Sequence, residues 1–319
     1  MTEMIATRAA YGEALARLGD VNPGVVVLDA DLSASTRTAD FAKRHPERFI
    51  QMGIAEQDMI GTAAGLAASG KVAFASTFAV FASGRAFDQV RNAVCYSRLN
   101  VKICATHAGL TVGEDGASHQ SVEDIALMRA VPNMTVIVPS DAVQTAWAVN
   151  AAAAMDGPVY MRLGRAPVPV IYGEGQEFAI GKAHTLRMGS DVTIIACGIM
   201  VPRALAAAEA LSEEGISARV LDMHTVKPLD VDAVRAAADD TGAIVTAEEH
   251  SIIGGLGGAV CEAVCESHPA PVVRVGVRDV VGRSGKPDEL LEAYGLTTEE
   301  IVKAARRAMS MKTAVARSI

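Results

Sequence analysis

Short apolar runs alternate with segments of helical periodicity along most of this chain. In the first half, strands are predicted at 25–30, 48–52, 72–76, 101–106, 135–138 and 158–163, and helices at 5–17, 56–68, 84–95 and 141–154. Strands separated by helices favour a parallel sheet covered by helices on both faces, because parallel neighbours need crossover connections.

A second series of the same kind begins at Asp191. Its strands are predicted at 192–196, 218–221, 243–246 and 272–275, and its helices at 201–213, 230–238, 257–266 and 298–309, before a short polar tail after Met311. Pro and Gly are frequent from Arg165 to Gly175, which is typical of a linker. We therefore expect an α/β fold with two doubly wound domains, residues 1–170 and 186–319, joined by residues 171–185.

Composition excludes several classes of function. The net charge is -8 without a basic cluster, so no nucleic-acid partner is expected. No apolar run approaches the ~20 residues of a membrane span, and the N-terminus lacks the pattern of a signal peptide. The five cysteines fit no disulfide framework, which favours a reduced, cytoplasmic protein. Cys261 and Cys265 lie one helical turn apart without a ligand motif, and we expect buried thiols rather than a metal site.

The stretch from Met52 to Met59 contains a lone acid, Glu56, between a short strand and a small-sided apolar helix. We expect its side chain to point into a region with little water. Burial there would raise the pKa of Glu56 and produce an acid able to share a proton near neutral pH. The alternative is an ordinary acid that interacts with the dipole at the start of a helix.

Two further features follow strands of the predicted sheet. The loop 106–120 carries His107, Asp115 and His119 among three glycines, at the edge where open α/β sheets bind ligands. Phe78 and Phe81 lie three residues apart at another strand end, where they form either core packing or a flat wall for a ring.

Three more polar residues stand near element ends. Arg165 closes a strand, Arg8 opens the first helix and Ser35 follows the first strand. Such arginines are usually solvated at the surface. If they converged on one cleft they would form an anion site, because guanidinium groups match phosphate in a bidentate manner.

Three ordered motifs, Gly53-Ile-Ala-Glu56-Gln, Ser76-Thr-Phe-x-x-Phe81 and Gly113-Glu-Asp-Gly-x-x-His119-Gln, resemble the transketolase family. The similarity covers nearly the whole chain and corresponds to the C-terminal half of a full-length transketolase. It implies that residues 1–170 bind the aminopyrimidine of thiamine diphosphate and that residues 186–319 form the family's C-terminal domain. The implied cofactor contacts are Glu56, Phe78, Phe81 and Ile54, with Glu56 also catalytic. The implied substrate contacts are Asp115 and His119 at sugar hydroxyls, and Arg8, Ser35, His107 and Arg165 at the phosphate.

The chain departs from the family in two ways. A third ring-binding aromatic has no counterpart, because Gly84 stands at that spacing, with Phe87 as the candidate to compensate. The family's Gly-Asp-Gly segment that precedes the Mg²⁺ ligand Asn is also missing. The resemblance thus implies the C-terminal subunit of a split transketolase, with the diphosphate and Mg²⁺ on a separate N-terminal subunit in an α2β2 heterotetramer. The pair would transfer a two-carbon ketol unit from a ketose phosphate to an aldose phosphate.

Three alternatives stay open at this point. A beta subunit of a 2-oxo-acid dehydrogenase has the same layout and acid but needs no phosphate ligands. A 1-deoxyxylulose-5-phosphate synthase-like enzyme is compatible with the segment Phe87–Val90, and a regulatory paralogue would bind a partner without turnover. In the second domain, we interpret Glu248-Glu249-His250 and the glycines from Gly254 to Gly258 as structural, with His250 near the active-site rim.

Overall fold

The structure, a computed structural model, describes the backbone of residues 3–316 and the side chains of residues 3–312. Its strands are β1 (Met4–Ala6), β2 (Val25–Asp29), β3 (Phe49–Gln51), β4 (Val72–Phe78), β5 (Val101–Thr106), β6 (Thr135–Ile137), β7 (Val159–Arg162), β8 (Pro167–Pro169), β9 (His184–Arg187), β10 (Val192–Ala196), β11 (Ala218–Asp222), β12 (Thr225–Lys227), β13 (Ile244–Ser251) and β14 (Val272–Val277). Its α-helices are α1 (Thr7–Val21), α2 (Ser33–Thr36), α3 (Ala39–Arg44), α4 (Glu56–Ala68), α5 (Phe87–Gln89), α6 (Asp124–Ala130), α7 (Ala142–Ala154), α8 (Met200–Glu213), α9 (Val231–Asp240), α10 (Leu256–Glu266), α11 (Pro287–Ala293) and α12 (Thr298–Ala316).

The first sheet has seven strands in the order β12-β6-β7-β5-β4-β2-β3. All pairs are parallel except β12, which lies antiparallel to β6 at one edge. The strands are mostly apolar because helices cover both faces, and every residue of β2 and β5 is buried. The predicted parallel α/β architecture is confirmed for this half of the chain.

The second sheet has five strands in the order β14-β13-β10-β11-β9, again parallel except for its edge strand β9. Helices α8 and α12 pack on one face with a core of valine, alanine and leucine side chains. Helices α9 and α10 cover the other face and join the core cluster that extends into the first sheet. The two sheets are therefore packed together through a shared core. Strand β12, from the second half of the chain, hydrogen-bonds to β6 at the edge of the first sheet.

Several predicted elements were wrong in detail. The segment from Arg165 to Gly175, predicted as a linker, contains β8, which pairs with β1. Because this pairing satisfies the backbone groups of Met4–Ala6, the first helix begins at Thr7 rather than at residue 5. The predicted helix 84–95 is instead a short α5 between two π-helical stretches, Phe81–Arg85 and Val90–Tyr96. The predicted polar tail continues the last helix to Ala316.

The cysteine prediction was also partly wrong. Cys95, Cys104 and Cys197 are buried, whereas Cys261 is only partly buried and Cys265 is exposed. Helix α10 turns the face that carries Cys261 and Cys265 toward solvent, so their helical spacing alone did not determine their burial. None of the helices in the described part of the chain is long and apolar enough to cross a membrane.

The carboxyl ends of β2, β4, β5 and β7 meet along one edge of the first sheet. The segments that leave these ends are α2 after β2, the π-helical stretch after β4, the loop 106–120 after β5 and Arg165 after β7. This is the edge at which parallel sheets bind ligands, and it brings together residues that are far apart in the sequence.

Candidate active site

Glu56 begins helix α4 at the edge of this cluster, and it is only 2% exposed. Gly53, with φ of +70°, makes the sharp turn from β3 into the helix. The carboxylate Oε2 accepts a hydrogen bond from Nη1 of Arg85 at 2.8 Å. The prediction of a buried acid at this turn is confirmed, but its cationic partner was missed. Local spacing gave no signal for this pair, because Arg85 lies 29 residues from Glu56.

Phe78 and Phe81 form a continuous aromatic wall. Their ring centroids are 6.0 Å apart and the rings are inclined by only 10°. The guanidinium carbon of Arg85 lies 4.3 Å from the centroid of Phe81, in the geometry of a cation–π contact. His119 meets both rings edge-on, at 6.3 Å and 5.6 Å. The wall, the cation and the buried carboxylate thus form one connected cluster.

Neither Phe87 nor the position of Gly84 adds a third aromatic ring to this wall. Phe87 packs against the apolar core of the first sheet, and no ring contact joins it to Phe78 or Phe81 among the described side chains. A Cβ built at Gly84 would meet no atom within 4 Å, so the space beside the wall is open in this chain.

His107 follows β5 in the left-handed region, with φ of +55°, and it is 3% exposed. Its ring stacks on Phe78 at a centroid distance of 3.8 Å. Nη1 of Arg8 lies 3.4 Å from Nε2, and Nδ1 lies 2.9 Å from the hydroxyl of Thr106. A guanidinium can only donate, so Nε2 accepts and the neutral ring carries its proton on Nδ1. Burial, with the nearby charges of Arg8 and Arg165, lowers the pKa of His107 to about 3.

Arg8 and Arg165 face the same region. Arg8 donates to the backbone carbonyl of Ser35 at 2.7 Å, so Ser35 contributes its main chain to this contact. Burial lowers the pKa of Arg8, and the charges of Arg165 and Arg37 lower it further. Like charges that are held close together are unfavourable without an anion, so this corner is electrostatically prepared to receive one.

Arg165 is also attached to the loop that carries Asp115. It donates to the carbonyl of Val112, and Nη1 lies 3.5 Å from Oδ2 of Asp115 and 3.8 Å from Oε2 of Glu114. The side chains of Arg165, Asp115 and Glu114 are 35%, 42% and 64% exposed. These ion pairs are therefore open to solvent and contribute little to stability. They can be exchanged for ligand contacts at low cost.

Two predicted positions lie apart from this network. Ile54 is 77% exposed in the turn before α4, with its side chain directed to solvent. His250 is fully buried, accepting from the backbone N–H of Ala126 at 3.3 Å and donating to the carbonyl of Ser251 at 2.7 Å. His250 therefore lies between the two halves of the chain rather than at the rim, because both ring nitrogens are used by main-chain groups.

The second domain carries a further residue that the sequence did not single out for the site. Glu249 accepts a hydrogen bond from the backbone N–H of Thr111 in the loop, at 2.6 Å. Its neighbour Glu248 accepts from the N–H groups of Leu256 and Gly257 and so caps α10. Among the described residues, no group of three or more His, Cys, Asp or Glu side chains is arranged to hold a metal ion.

Comparison with known proteins agrees with this arrangement. The family described as transketolase, pyrimidine binding domain, matches residues 3–170, and the one described as transketolase, C-terminal domain, matches residues 181–301. A putative transketolase C-terminal section of Methanocaldococcus jannaschii is 54% identical over 299 residues, covering 93% of this chain and 94% of that protein. The 6-deoxy-6-sulfo-D-fructose transketolase subunit SqwH of Clostridium sp. is 48% identical over 305 residues, covering 96% and 95%.

A solved structure, described as a split gene transketolase, inactive beta4 tetramer, superposes with a TM-score of 0.90 at 56% identity. It covers 97% of this chain and 100% of its own. These similarities extend over both sheets and over the edge where the buried acid, the aromatic wall and the paired arginines meet. The chain belongs to the transketolase family.

Proposed function

We propose that this chain is the C-terminal subunit of a split, thiamine-diphosphate-dependent transketolase. With a separate N-terminal subunit, it would transfer a two-carbon ketol unit from a ketose phosphate to an aldose phosphate. The observation that carries the proposal is a carboxylate that is 2% exposed, Glu56, beside a stacked pair of phenylalanines at the ligand-binding edge of a parallel sheet. A buried carboxylate is costly unless a cation or a bound group pairs with it.

The residues fit the pyrimidine ring of the cofactor, which supplies the carbanion chemistry when bound. Glu56 would hydrogen-bond a ring nitrogen and share a proton there, while Phe78 and Phe81 offer a flat apolar surface to the ring. Ile54, in the exposed turn before Glu56, would complete the contact. In the isolated chain Arg85 keeps Glu56 paired. We expect the pyrimidine to compete with Arg85 for the carboxylate and for the face of Phe81.

The proposed substrate site lies on the other side of the wall. Arg8, Arg165 and neutral His107 would bind the anionic end of the sugar, with the main chain of Ser35 holding Arg8 in place. Asp115 and His119 would contact the sugar hydroxyls. The paired guanidiniums support a phosphate or another tetrahedral anion. The relative named for 6-deoxy-6-sulfo-D-fructose makes a sulfonated sugar the second candidate donor.

The rival activities are less well supported. A beta subunit of a 2-oxo-acid dehydrogenase has no need for two converging arginines on a substrate anion. A 1-deoxyxylulose-5-phosphate synthase-like activity rests on a short resemblance at Phe87, which is partly buried against the core. A regulatory paralogue has no need for the buried acid or the aromatic wall. We therefore propose transketolase chemistry, carried out by a chain of two domains that are joined by residues 171–185.

The partner would supply the diphosphate and Mg²⁺ site, in an α2β2 assembly. The strand-to-helix turn and the outer face of α4 support a protein contact here. Ile54 is 77% exposed, and Cβ atoms built at Gly61 and Gly65 would meet nothing within 4 Å, which leaves room for a close approach. We also propose a cytoplasmic location, because the five cysteines are unpaired.

The deciding experiment mixes this chain with an N-terminal transketolase subunit and measures ketol transfer with thiamine diphosphate and Mg²⁺. We expect the pair to be active, the chain alone to be inactive, and Glu56→Gln to lower turnover by at least about a hundredfold. Glu209→Gln is the matched control, because Glu209 is an exposed acid in α8, on the second sheet. If Glu56→Gln were as active as the control variant, Glu56 would serve only as an acid at the start of a helix. Robust turnover by this chain alone would refute the split-subunit proposal.

A further inference from the structure

The loop that carries Asp115 and His119 is anchored from the second domain. We call Gly109–Gln120 the substrate loop. The backbone N–H of Thr111 donates to Oε1 of Glu249 at 2.6 Å, across 138 residues of sequence. Glu249 belongs to β13 and is 3% exposed, so this carboxylate is buried against the loop rather than shared with solvent.

The contact at Gly109 shows how closely the loop lies on this carboxylate. Gly109 has φ of +80°, and a Cβ built there would stand 2.2 Å from the carboxyl carbon of Glu249. Any side chain at this position would collide with the carboxylate, and the backbone conformation itself favours glycine. The loop therefore leaves β5 in direct van der Waals contact with the second domain.

A second anchor holds the far end of the loop. The side-chain Nε2 of Gln120 donates to the backbone carbonyl of Leu110 at 3.1 Å and to that of Arg283 at 2.9 Å. A Cβ built at Gly116 would lie 2.5 Å from the hydroxyl oxygen of Ser284. The segment between β14 and α11 thus makes a second contact with the loop.

Glu249 is itself held in one position by the first domain. Nη2 of Arg162 donates to the main-chain carbonyl of Glu249 at 2.9 Å, and Nη1 lies 4.0 Å from the carboxylate Oε2. Arg162 is fixed in turn by Asp124, with Nε 2.8 Å from Oδ2. Burial raises the pKa of Glu249, whereas Arg162 and the Thr111 N–H act in the opposite direction. A buried carboxylate of this kind persists only where its partners are positioned to satisfy it.

The adjacent acid provides a contrast within the same strand. Glu248 is also fully buried, but its two oxygens accept from Leu256 and Gly257, both in the second domain. Glu248 therefore stabilises the start of α10 and makes none of these contacts with the substrate loop. Only one of the two neighbouring acids crosses the domain boundary.

We propose that Glu249 is a positioning residue for the substrate site, through which the second domain fixes the substrate loop and so the placement of Asp115 and His119. The inference rests on the proposed function for its consequence in catalysis, although the anchoring itself does not depend on activity. It gives the second domain a task in substrate recognition beyond packing.

The first test measures hydrogen–deuterium exchange of the full chain at the substrate loop. Removing the charged acceptor in Glu249→Ala should speed exchange in peptides covering 109–120 by at least about tenfold, as loss of a hydrogen bond to a charged group implies. Glu249→Gln keeps an oxygen for the Thr111 N–H and should give a smaller increase, about threefold or more. Glu248→Gln, the matched control, should leave this segment within about twofold of the wild type.

The second test measures ketol transfer by the reconstituted pair of subunits. We expect Glu249→Ala to raise the KM for the sugar phosphate by about tenfold or more while kcat changes less, and Glu249→Gln to restore part of the loss. Glu248→Gln should leave the KM unchanged.

Several outcomes would overturn the inference. Loop exchange that stays unchanged in the Glu249 variants, or that accelerates equally in Glu248→Gln, would show that Glu249 does not anchor the loop. If Glu249→Ala fails to fold, Glu249→Gln decides by the same criteria. An inactive wild-type pair would instead count against the proposed function, and the exchange experiment would still decide whether the loop is anchored.

Discussion

His107 makes the stability of the first domain depend on pH in a predictable direction. Its ring is 3% exposed, stacked on Phe78 and close to the guanidinium of Arg8. These surroundings lower its pKa to about 3, from an ordinary value of 6.5. Between these two values the unfolded chain binds a proton that the folded chain does not. Stability contributed at this position is therefore complete above the unfolded pKa and is lost as the pH falls.

The expected loss follows from these two values. Going from pH 7.5 to pH 5.0 should lower the free energy of unfolding by about 2 kcal/mol through His107 alone, at about 1.4 kcal/mol for each unit below the unfolded pKa. The result depends little on the folded value, because the folded ring stays neutral at pH 5.0 for any pKa below about 4.

The variant that tests this is His107→Asn. Asparagine tolerates the left-handed backbone at this position, with φ of +55°, and it does not titrate. Trp147 is the only tryptophan of the chain and lies in α7, so its fluorescence follows unfolding of the first domain in urea. We expect the wild type to lose about 2 kcal/mol more than His107→Asn between the two pH values.

The difference between the wild type and His107→Asn separates this effect from those of other histidines. His224, whose pKa burial lowers to about 4, contributes equally to the wild type and to His107→Asn and cancels in their difference. Parallel curves for the wild type and His107→Asn would refute the reasoning, because they would mean that His107 titrates alike in both states.

Two further predictions concern the cations of the site. Arg165→Ala should weaken use of a phosphorylated donor by about 2–4 kcal/mol, the cost of truncating one partner of a charge-assisted pair, with little change for hydroxypyruvate. Steady-state kinetics with both donors measures this, and an equal loss on both would make Arg165 structural. Arg85→Gln removes the cation that pairs with Glu56 and covers Phe81. It should change the apparent affinity for thiamine diphosphate and shift the pH profile of turnover, whereas an unaltered affinity and profile would leave Arg85 outside the site.

The local pattern of the sequence determined a large part of this fold. Helix α4 and strands β5 and β10 begin and end where the pattern predicts, because each is bounded by turn residues and has an unbroken apolar run or face. The buried position of Glu56 could also be predicted, because a small-sided helix after a strand leaves its first side chain little contact with water.

Pairings between distant segments could not be predicted in this way. Strand β12 lies within the second series in the sequence, between β11 and β13, yet completes the first sheet. Strand β8 pairs with β1 within a segment that reads as a linker. Three-residue strands carry almost no periodicity, so only the neighbouring strand identifies them.

The candidate site divides in the same way. Sequence motifs identified the residue types at the sheet edge, because strand ends in an α/β fold meet there. The tertiary structure alone decided which partners they have. Arg85 reaches Glu56 across 29 residues, and Glu249 reaches the substrate loop across 138. Hydrogen bonds of this kind depend on how helices and domains pack together, and no local spacing in the chain encodes that geometry.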